Sequence, residues 1–278
     1  MWRIIVILSI LLASVTAAGA AMDDPFPTVA SSYILAIDGK PVWAHRPEQR
    51  LPPASLTKIM TALLVMERED PDRVVTVSRG AAAESRSRIG LRQGDRMRVG
   101  DLLAATLIYS ANDACRALAD YVGGDRKRFI MLMNSKAGEL GLKETHFNDP
   151  CGHDKPHHFT SARDLAVLAE TALKNQTFRD LVSRQQMSIR TVDGRRHFLL
   201  RNKNHLLGRY PGAAGVKTGY TDSAGSCLIA LAERDGTRVL LVMLHARNRW
   251  HDAAAMLDRA FLQAGKQTFA NRTSTSIK

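Results

Sequence analysis

The chain is predicted to be an α+β protein: strands from its two ends pair into one antiparallel sheet, helices flank that sheet, and a helical lobe is inserted between the strands. Three observations lead there. Strand-like apolar runs stand at 33–37 and 42–45 near the start and at 215–220, 226–231 and 238–245 near the end. Between them the apolar residues recur at helical rather than alternating spacing. The 278 residues, 45% hydrophobic and 24% charged, show no linker or internal repeat that would divide them, so strands and helices belong to one layered core. The same composition excludes disorder, collagen-like repeats and a disulfide scaffold.

The first twenty residues stand apart from that core. Trp2-Arg3 give a positive start, residues 4–15 are apolar apart from two serines, and Ala18-Gly19-Ala20 is a small-residue cleavage site, the pattern of a secretory signal peptide. The run is shorter than the roughly 20 residues that span a bilayer, which disfavours an uncleaved anchor, and no second apolar stretch approaches that length. The expected layout is a signal peptide over 1–20, a folded domain over 21–266 and a polar tail over 267–278, soluble outside the cytoplasmic membrane with no stable membrane anchor after cleavage.

The elements follow in order. Asp38-Gly39 joins the first two strands, the dipeptide of a tight hairpin turn. Pro52-Pro53 precedes a helix over 54–67 that buries Leu56, Ile59, Met60 and Leu63 and starts near Ser55. Helices are expected over 100–109, 113–122, 128–140 and 162–174; the last follows Ser161 with Asp164 three residues on, a capping-box-like start. Residues 148–159, Asn-Asp-Pro-Cys-Gly-His-Asp-Lys-Pro-His-His-Phe, are rich in turn formers and read as a loop. The final two strands join through Asp235-Gly236, and an amphipathic helix over about 250–263 closes the domain.

A formal charge of +12 raises nucleic acid as a partner, but the basic residues are spread without aromatic interleaving and an exported protein meets little of it, so none is expected. Acidic wall polymers or a carboxylate-bearing substrate suit the charge better, and so does a plain solvated surface. Of Cys115, Cys151 and Cys227, at least one must stay unpaired. The apolar surroundings of Cys115 and Cys227 suit buried free thiols, and no disulfide is expected. His153, His157 and His158 raise a metal site, but without a helix to set their spacing or acidic partners none is expected.

Three short motifs carry chemistry. Ser55-Leu56-Thr57-Lys58 sets a hydroxyl and an amine three residues apart at a helix start, on one face; an enclosed lysine that loses its proton near neutral pH can activate a serine. Ser110-Ala111-Asn112 lies between two helices, and in a locally extended turn its hydroxyl and amide face one cleft. Lys217-Thr218-Gly219 stands on a strand, where a cation, a hydroxyl and close backbone approach suit a peptide carboxylate docking along the strand edge. Each motif alone is weak, and a helix cap or a solvated lysine would explain it.

Together, in this order, they resemble the active-site set of penicillin-binding proteins and serine β-lactamases. The chain further resembles the low-molecular-mass penicillin-binding proteins of the serine D-alanyl-D-alanine carboxypeptidase family, peptidase family S11. The resemblance rests on Pro53-Ala54-Ser55-Leu56-Thr57-Lys58-Ile59-Met60-Thr61-Ala62, Ser110-Ala111-Asn112-Asp113-Ala114, Met133-Asn134, Phe159-Thr160-Ser161-Ala162-Arg163-Asp164-Leu165, Asn202-Lys203-Asn204-His205-Leu206-Leu207 and Gly215-Val216-Lys217-Thr218-Gly219-Tyr220-Thr221, and covers roughly residues 30–264.

What the resemblance implies is a β-lactamase/transpeptidase-like fold and a peptidase that removes the terminal D-alanine from peptidoglycan stem peptides. Ser55 would form the acyl-enzyme and Lys58 would take its proton. Ser110 and Asn112 would relay a proton and hold the substrate amide; Lys217 and Thr218 would bind the terminal carboxylate beside Gly219. The N–H groups of Ser55 and Tyr220 would form the oxyanion hole, β-lactam antibiotics would acylate Ser55 as inhibitors, and no metal or organic cofactor would be needed. Arg249 stands where the family often has a basic residue near the carboxylate. Asp149-Pro150-Cys151-Gly152-His153 departs from the family's N-P-x-G-L, which affects substrate fit near that loop. A D,D-endopeptidase acting on cross-links would use the same residues. A serine β-lactamase of class A would need an extra glutamate, for which Glu139 is the best candidate but falls inside a helical pattern; a non-catalytic wall-binding module would not need the Ser55–Lys58 pair.

Overall fold

The computed structural model describes residues 24–275, with side chains through residue 266; the predicted signal peptide lies outside the described residues. The chain enters through β1 (Ala30–Ile37) and β2 (Lys40–His45), joined by Asp38 at φ 49° and Gly39 at φ 77°. Two successive left-handed residues make the tight turn that Asp-Gly favours. Residues 54–57 form a 3-10 turn that runs into α1 (Lys58–Arg68), so the α-helix proper begins three residues after Ser55. Every residue from Lys58 to Val65 is buried: α1 is enclosed on all sides, and its polar members Lys58 and Thr61 need internal partners.

The helical lobe follows. Three-residue strands β3 (Val74–Thr76) and β4 (Arg96–Arg98) pair around the short α2 (Arg79–Ala82), then come α3 (Val99–Ala104), α4 (Asn112–Gly123), α5 (Arg126–Glu139), α6 (Ala162–Ala172) and α7 (Gln176–Ser183). The helix expected over 100–109 is α3 continued by a wider π turn over Ala105–Tyr109, ending at Ser110 in the left-handed conformation, φ 65°. Ser161 caps α6 by accepting the Asp164 N–H at 3.1 Å. Asp164, however, does not return the bond as a capping box would; its carboxylate accepts instead from the Glu144 N–H and the Thr145 hydroxyl, both at 2.7 Å, and so ties the loop before it to the helix. A hairpin of β5 (Gln186–Arg190) and β6 (His197–Arg201) leads out of the lobe.

The chain returns through β7 (Ala213–Thr221), β8 (Gly225–Arg234) and β9 (Thr237–Ala246), completing an antiparallel sheet of order β2-β1-β9-β8-β7. The terminal strands pair as expected, Tyr33 with Met243 and Leu35 with Leu241. Alternate residues feed two cores. Tyr33, Leu35, Leu228, Ala230, Leu241 and Met243 pack with Ala253, Met256, Leu257 and Ala260 of the closing helix α8 (Arg249–Thr275). Ile34, Ile229, Leu231, Val242 and Leu244 join the larger core around α1 and the helical lobe. With both faces covered, the central strands read as unbroken apolar runs. α8 passes the expected end near residue 263 and its backbone stays helical through Thr275, so most of the predicted polar tail is helix. No helix among the described residues is long and apolar enough to cross a membrane.

The expectation that no disulfide forms is overturned. Cys115 of α4 and Cys151 of the 148–159 loop form a disulfide, with Cα atoms 5.9 Å apart. Its 36-residue separation gave no local sign; the two meet only because the loop folds back across α4. Cys227 is the buried free thiol, and burial pushes its pKa up to about 11, which leaves it unreactive near neutral pH.

Candidate active site

The three motifs converge where α1, the start of α4 and β7 meet. Ser55 lies partly open in the 3-10 turn, and Lys58 opens α1 fully buried behind it, Nζ 2.9 Å from Ser55 Oγ. Lys58 also reaches Asn112 Oδ1 at 2.8 Å and the Cys151 carbonyl at 2.5 Å. Burial, the largest influence, pulls the Lys58 pKa down to about 7; the Asp149 charge opposes the fall and Lys203 adds to it. A buried amine with no carboxylate in contact has this property because desolvation penalises only its charged form.

Ser110 and Asn112 both face this cleft. The left-handed Ser110 and extended Ala111, at φ −68° and ψ 124°, aim the Ser110 hydroxyl across to the sheet, where it meets Lys217 Nζ at 2.9 Å. Asn112 points inward, its Nδ2 donating to the Ser85 carbonyl at 2.8 Å and lying 3.2 Å from His153 Nε2. Lys217 and Thr218 are buried on β7, and Lys217 also donates to the Thr218 carbonyl at 2.9 Å. At Gly219 the strand runs against the Ser55 turn: a Cβ there would lie 3.0 Å from Ala54 Cβ and 3.1 Å from the Ser55 nitrogen. Tyr220 is exposed at the mouth.

Arg249, expected beside a substrate carboxylate, has backbone partners through one guanidinium nitrogen. It donates to the Gly219 carbonyl at 2.7 Å and the Cys227 carbonyl at 3.1 Å, and its guanidinium covers the Trp250 ring at 4.6 Å. It fastens β7 to β8 and adds positive charge behind the site.

Lys203 was not singled out from sequence beyond its place in Asn202-Lys203-Asn204. Half-buried, it reaches Ser87 Oγ at 2.7 Å and lies 4.6 Å over the Tyr109 ring, while Asn204 Nδ2 supports β7 through the Gly215 carbonyl at 2.9 Å. Burial, with Lys58, Lys203 and Arg249 adding to it, drives the Lys217 pKa well below the usual lysine range. Among the described residues no carboxylate lies within ion-pair distance of Lys58, Lys203, Lys217 or Arg249. Burial without a carboxylate partner disfavours the charged form of Lys217, and an anionic group brought beside it would favour that form again.

The Asp149–His153 segment backs this cleft. Asp149 Oδ1 accepts the N–H groups of Cys151, Gly152 and His153 at 2.8, 2.7 and 3.1 Å and meets His153 Nδ1 at 3.2 Å, while its other oxygen pairs with Arg126. Burial works against this carboxylate, but the His153 bonds and charge and the Arg126 charge hold its pKa well below the ordinary range. The three loop histidines stand in separate surroundings: His153 as above, His157 exposed, and His158 buried. The Asn148 N–H donates to His158 Nδ1 at 2.9 Å, which leaves the proton on Nε2, 3.0 Å from Thr57 Oγ1. Burial lowers the His158 pKa to about 4, so this ring props the Ser55 turn as a neutral group. Glu139 lies at the outer end of α5, 3.5 Å from Lys136, away from the site.

An antiparallel sheet backed by α8, a serine–lysine pair where a 3-10 turn enters a buried central helix, and a helical lobe that supplies Ser110 and Asn112 define the fold of the penicillin-binding D,D-peptidases. The family model described as D-alanyl-D-alanine carboxypeptidase matches residues 20–248, and the chain belongs to that family. It is 37% identical over 86% of its length to a D-alanyl-D-alanine carboxypeptidase of Bacillus subtilis, DacF, and 34% identical over 96% to DacD of Escherichia coli. The matches span 64% of the Bacillus and 72% of the Escherichia protein. Among solved structures, the Streptomyces K15 DD-transpeptidase superposes with a TM-score of 0.80 at 32% identity, covering 84% of this chain and 98% of that one.

Proposed function

We propose that this protein is a serine D-alanyl-D-alanine carboxypeptidase that trims peptidoglycan stem peptides outside the cytoplasmic membrane, where residues 1–20 direct it. Lys58 as a neutral amine takes the Ser55 proton, and Ser55 Oγ attacks the carbonyl of the terminal D-alanyl-D-alanine bond. The N–H groups of Ser55 and Tyr220 hold the oxyanion, a contribution of about 3 kcal/mol per donor in comparable hydrolases. Ser110, in contact with Lys217, passes a proton to the departing amine. Lys217 and Thr218 hold the terminal carboxylate, and Asn112 holds the substrate amide as well as Lys58. Free D-alanine leaves, and water then hydrolyses the ester on Ser55. β-Lactams acylate the same hydroxyl. The domain over 21–266 carries all of these groups.

The observation that carries this reading is the 2.9 Å Ser55–Lys58 contact with the lysine pKa brought down to about 7; a wall-binding module has no use for such a pair. The test is release of D-alanine from a monomeric stem pentapeptide beside cleavage of a cross-linked dimer. Release from the pentapeptide supports the carboxypeptidase; cleavage of the dimer alone makes the protein an endopeptidase, and neither product rejects both.

The charge of Lys203 gives a second check. A neighbouring cation disfavours the protonated amine, so Lys203→Met is expected to raise the Lys58 pKa and move the acid limb of the acylation–pH profile to higher pH. A limb that stays in place or moves down would show that Lys203 does not act on Lys58.

A further inference from the structure

Lys58 Nζ has three oxygen neighbours: Ser55 Oγ at 2.9 Å, Asn112 Oδ1 at 2.8 Å and the Cys151 carbonyl at 2.5 Å. A neutral amine has two N–H donors and one lone pair. The Asn112 and Cys151 oxygens can only accept, whereas the Ser55 hydroxyl can also donate. With both N–H groups given to the two acceptors, the lone pair is left facing the serine. The orientation of the base therefore depends on where those two acceptors stand relative to each other.

They come from different elements. Asn112 is the first residue of α4, and Cys151 lies in the loop that crosses it. Cys115, one helical turn after Asn112, is bonded to Cys151, which joins both acceptors in one covalent unit. The bridge is not the loop's sole attachment: Asp149 Oδ1 holds the N–H groups of 151–153, and the Thr61 hydroxyl donates to the Pro150 carbonyl at 2.6 Å. Opening the bridge leaves those ties in place, so it relaxes the acceptor geometry without freeing the loop.

We propose that the Cys115–Cys151 disulfide is a positioning element for Lys58, so that acylation of Ser55 is fast only in the oxidised protein. This rests on the reading of Lys58 as the base. Reduction by a dithiol transfers two electrons and two protons to the bridge, yields the Cys115 and Cys151 thiols and turns the dithiol into a disulfide. Both cysteines are buried, 0% and 2% exposed, so the native bridge resists casual reduction, and an extracytoplasmic setting favours its formation.

The test compares the full chain with Cys115→Ala/Cys151→Ala, which keeps the residue 151 carbonyl, by the rate of labelling with a fluorescent penicillin from pH 5 to 10 below both melting temperatures. The titratable groups around Lys58 are Glu84, Asp113, Asp149, His153, Lys203 and Lys217, and the substitutions change none of them. The expected result is acylation at neutral pH slower by roughly tenfold to a hundredfold, the scale of a displacement of up to about 1 Å at a reacting group, with the acid limb displaced from its wild-type position. A merely structural bridge would lower the melting temperature and leave that limb in place. Acylation within twofold of wild type on an unmoved limb overturns the proposal. Should the variant fail to fold, the wild type is opened with a dithiol, its thiols counted, and the labelling repeated. Loss of rate that reoxidation restores supports the proposal, and an opened bridge with unchanged rate rejects it. Lys58→Ala run in parallel separates the two failures: normal acylation there removes the base itself, whereas a crippled Lys58→Ala beside an unimpaired bridge-less variant removes only the positioning role.

Discussion

A Ser55→Ala variant is expected to take up no covalent penicillin, and Lys58→Ala to take it up slower by roughly 10³- to 10⁴-fold, the upper range of what a positioned general base contributes. The two losses should not add. Without the hydroxyl there is nothing to deprotonate, so Ser55→Ala/Lys58→Ala falls to the same floor as Ser55→Ala, as groups that act as one unit do. The pH dependence carries the sign. Below a Lys58 pKa of about 7 the amine is protonated and cannot accept, so wild-type acylation should drop about tenfold per pH unit on the acid side and level off above it. Lys58→Ala should lose that limb along with its rate. Rapid labelling of Lys58→Ala on an unchanged limb would assign the base elsewhere. Near-ultraviolet circular dichroism checks that the fold survives, since the side chain is replaced at one end of a helix that stays buried from Ile59 to Val65.

The parts of this arrangement that are legible in the sequence are the local ones. Asp38-Gly39 and Asp235-Gly236 announce their turns because the left-handed backbone at those residues, φ 49° and 77° in both, is a property of the dipeptide. The Ser55–Lys58 contact is readable because helical geometry alone brings residues three apart together. Ser110–Lys217 and Lys58–Asn112 are not readable as contacts, since they form only when the lobe closes on the sheet; motif resemblance places them in one site without saying which touches which. Cys115 and Cys151 failed for the same reason, and the apolar neighbours of Cys115 pointed towards a free thiol. Arg249 is recognisable as a basic residue near the site, but its direction, into the Gly219 and Cys227 carbonyls, depends on the β7–β8 pairing. β3 and β4 are three residues each, too short for any alternation to register. The departure at Asp149 and His153 reads as a question of substrate fit; the structure makes it a buried charge network behind Asn112.

Among the described glycines, Gly152→Ala is expected to be the most damaging alanine substitution. Gly152 has φ 89°, where an alanine costs roughly 1–2 kcal/mol on backbone sterics alone. Its added Cβ would lie 1.9 Å from the Ala54 carbonyl oxygen and 2.4 Å from the Ala54 carbonyl carbon. Those are backbone atoms, so no rotamer relieves the overlap. Either the loop retreats, straining the Asp149 bond to the Gly152 N–H and the Cys151 carbonyl's hold on Lys58, or the Ala54–Ser55 turn moves and carries the Ser55 hydroxyl with it. A loss of about 4 kcal/mol or more is therefore expected, a fall in melting temperature of roughly 10 °C for a chain of this size. The fraction that stays folded should acylate about a hundredfold more slowly, because a shift of about 1 Å at a reacting group costs that much. Gly236→Ala is the control. Its φ of 77° is equally left-handed, but a Cβ there meets nothing within 4 Å, so it should show the backbone cost alone and leave acylation untouched. Thermal unfolding and penicillin labelling of the two variants side by side separate the terms. Equal melting shifts and equal acylation would mean that the loop yields at Gly152 without disturbing Ser55, and that the close approach of the two backbones does not hold Ser55 in place.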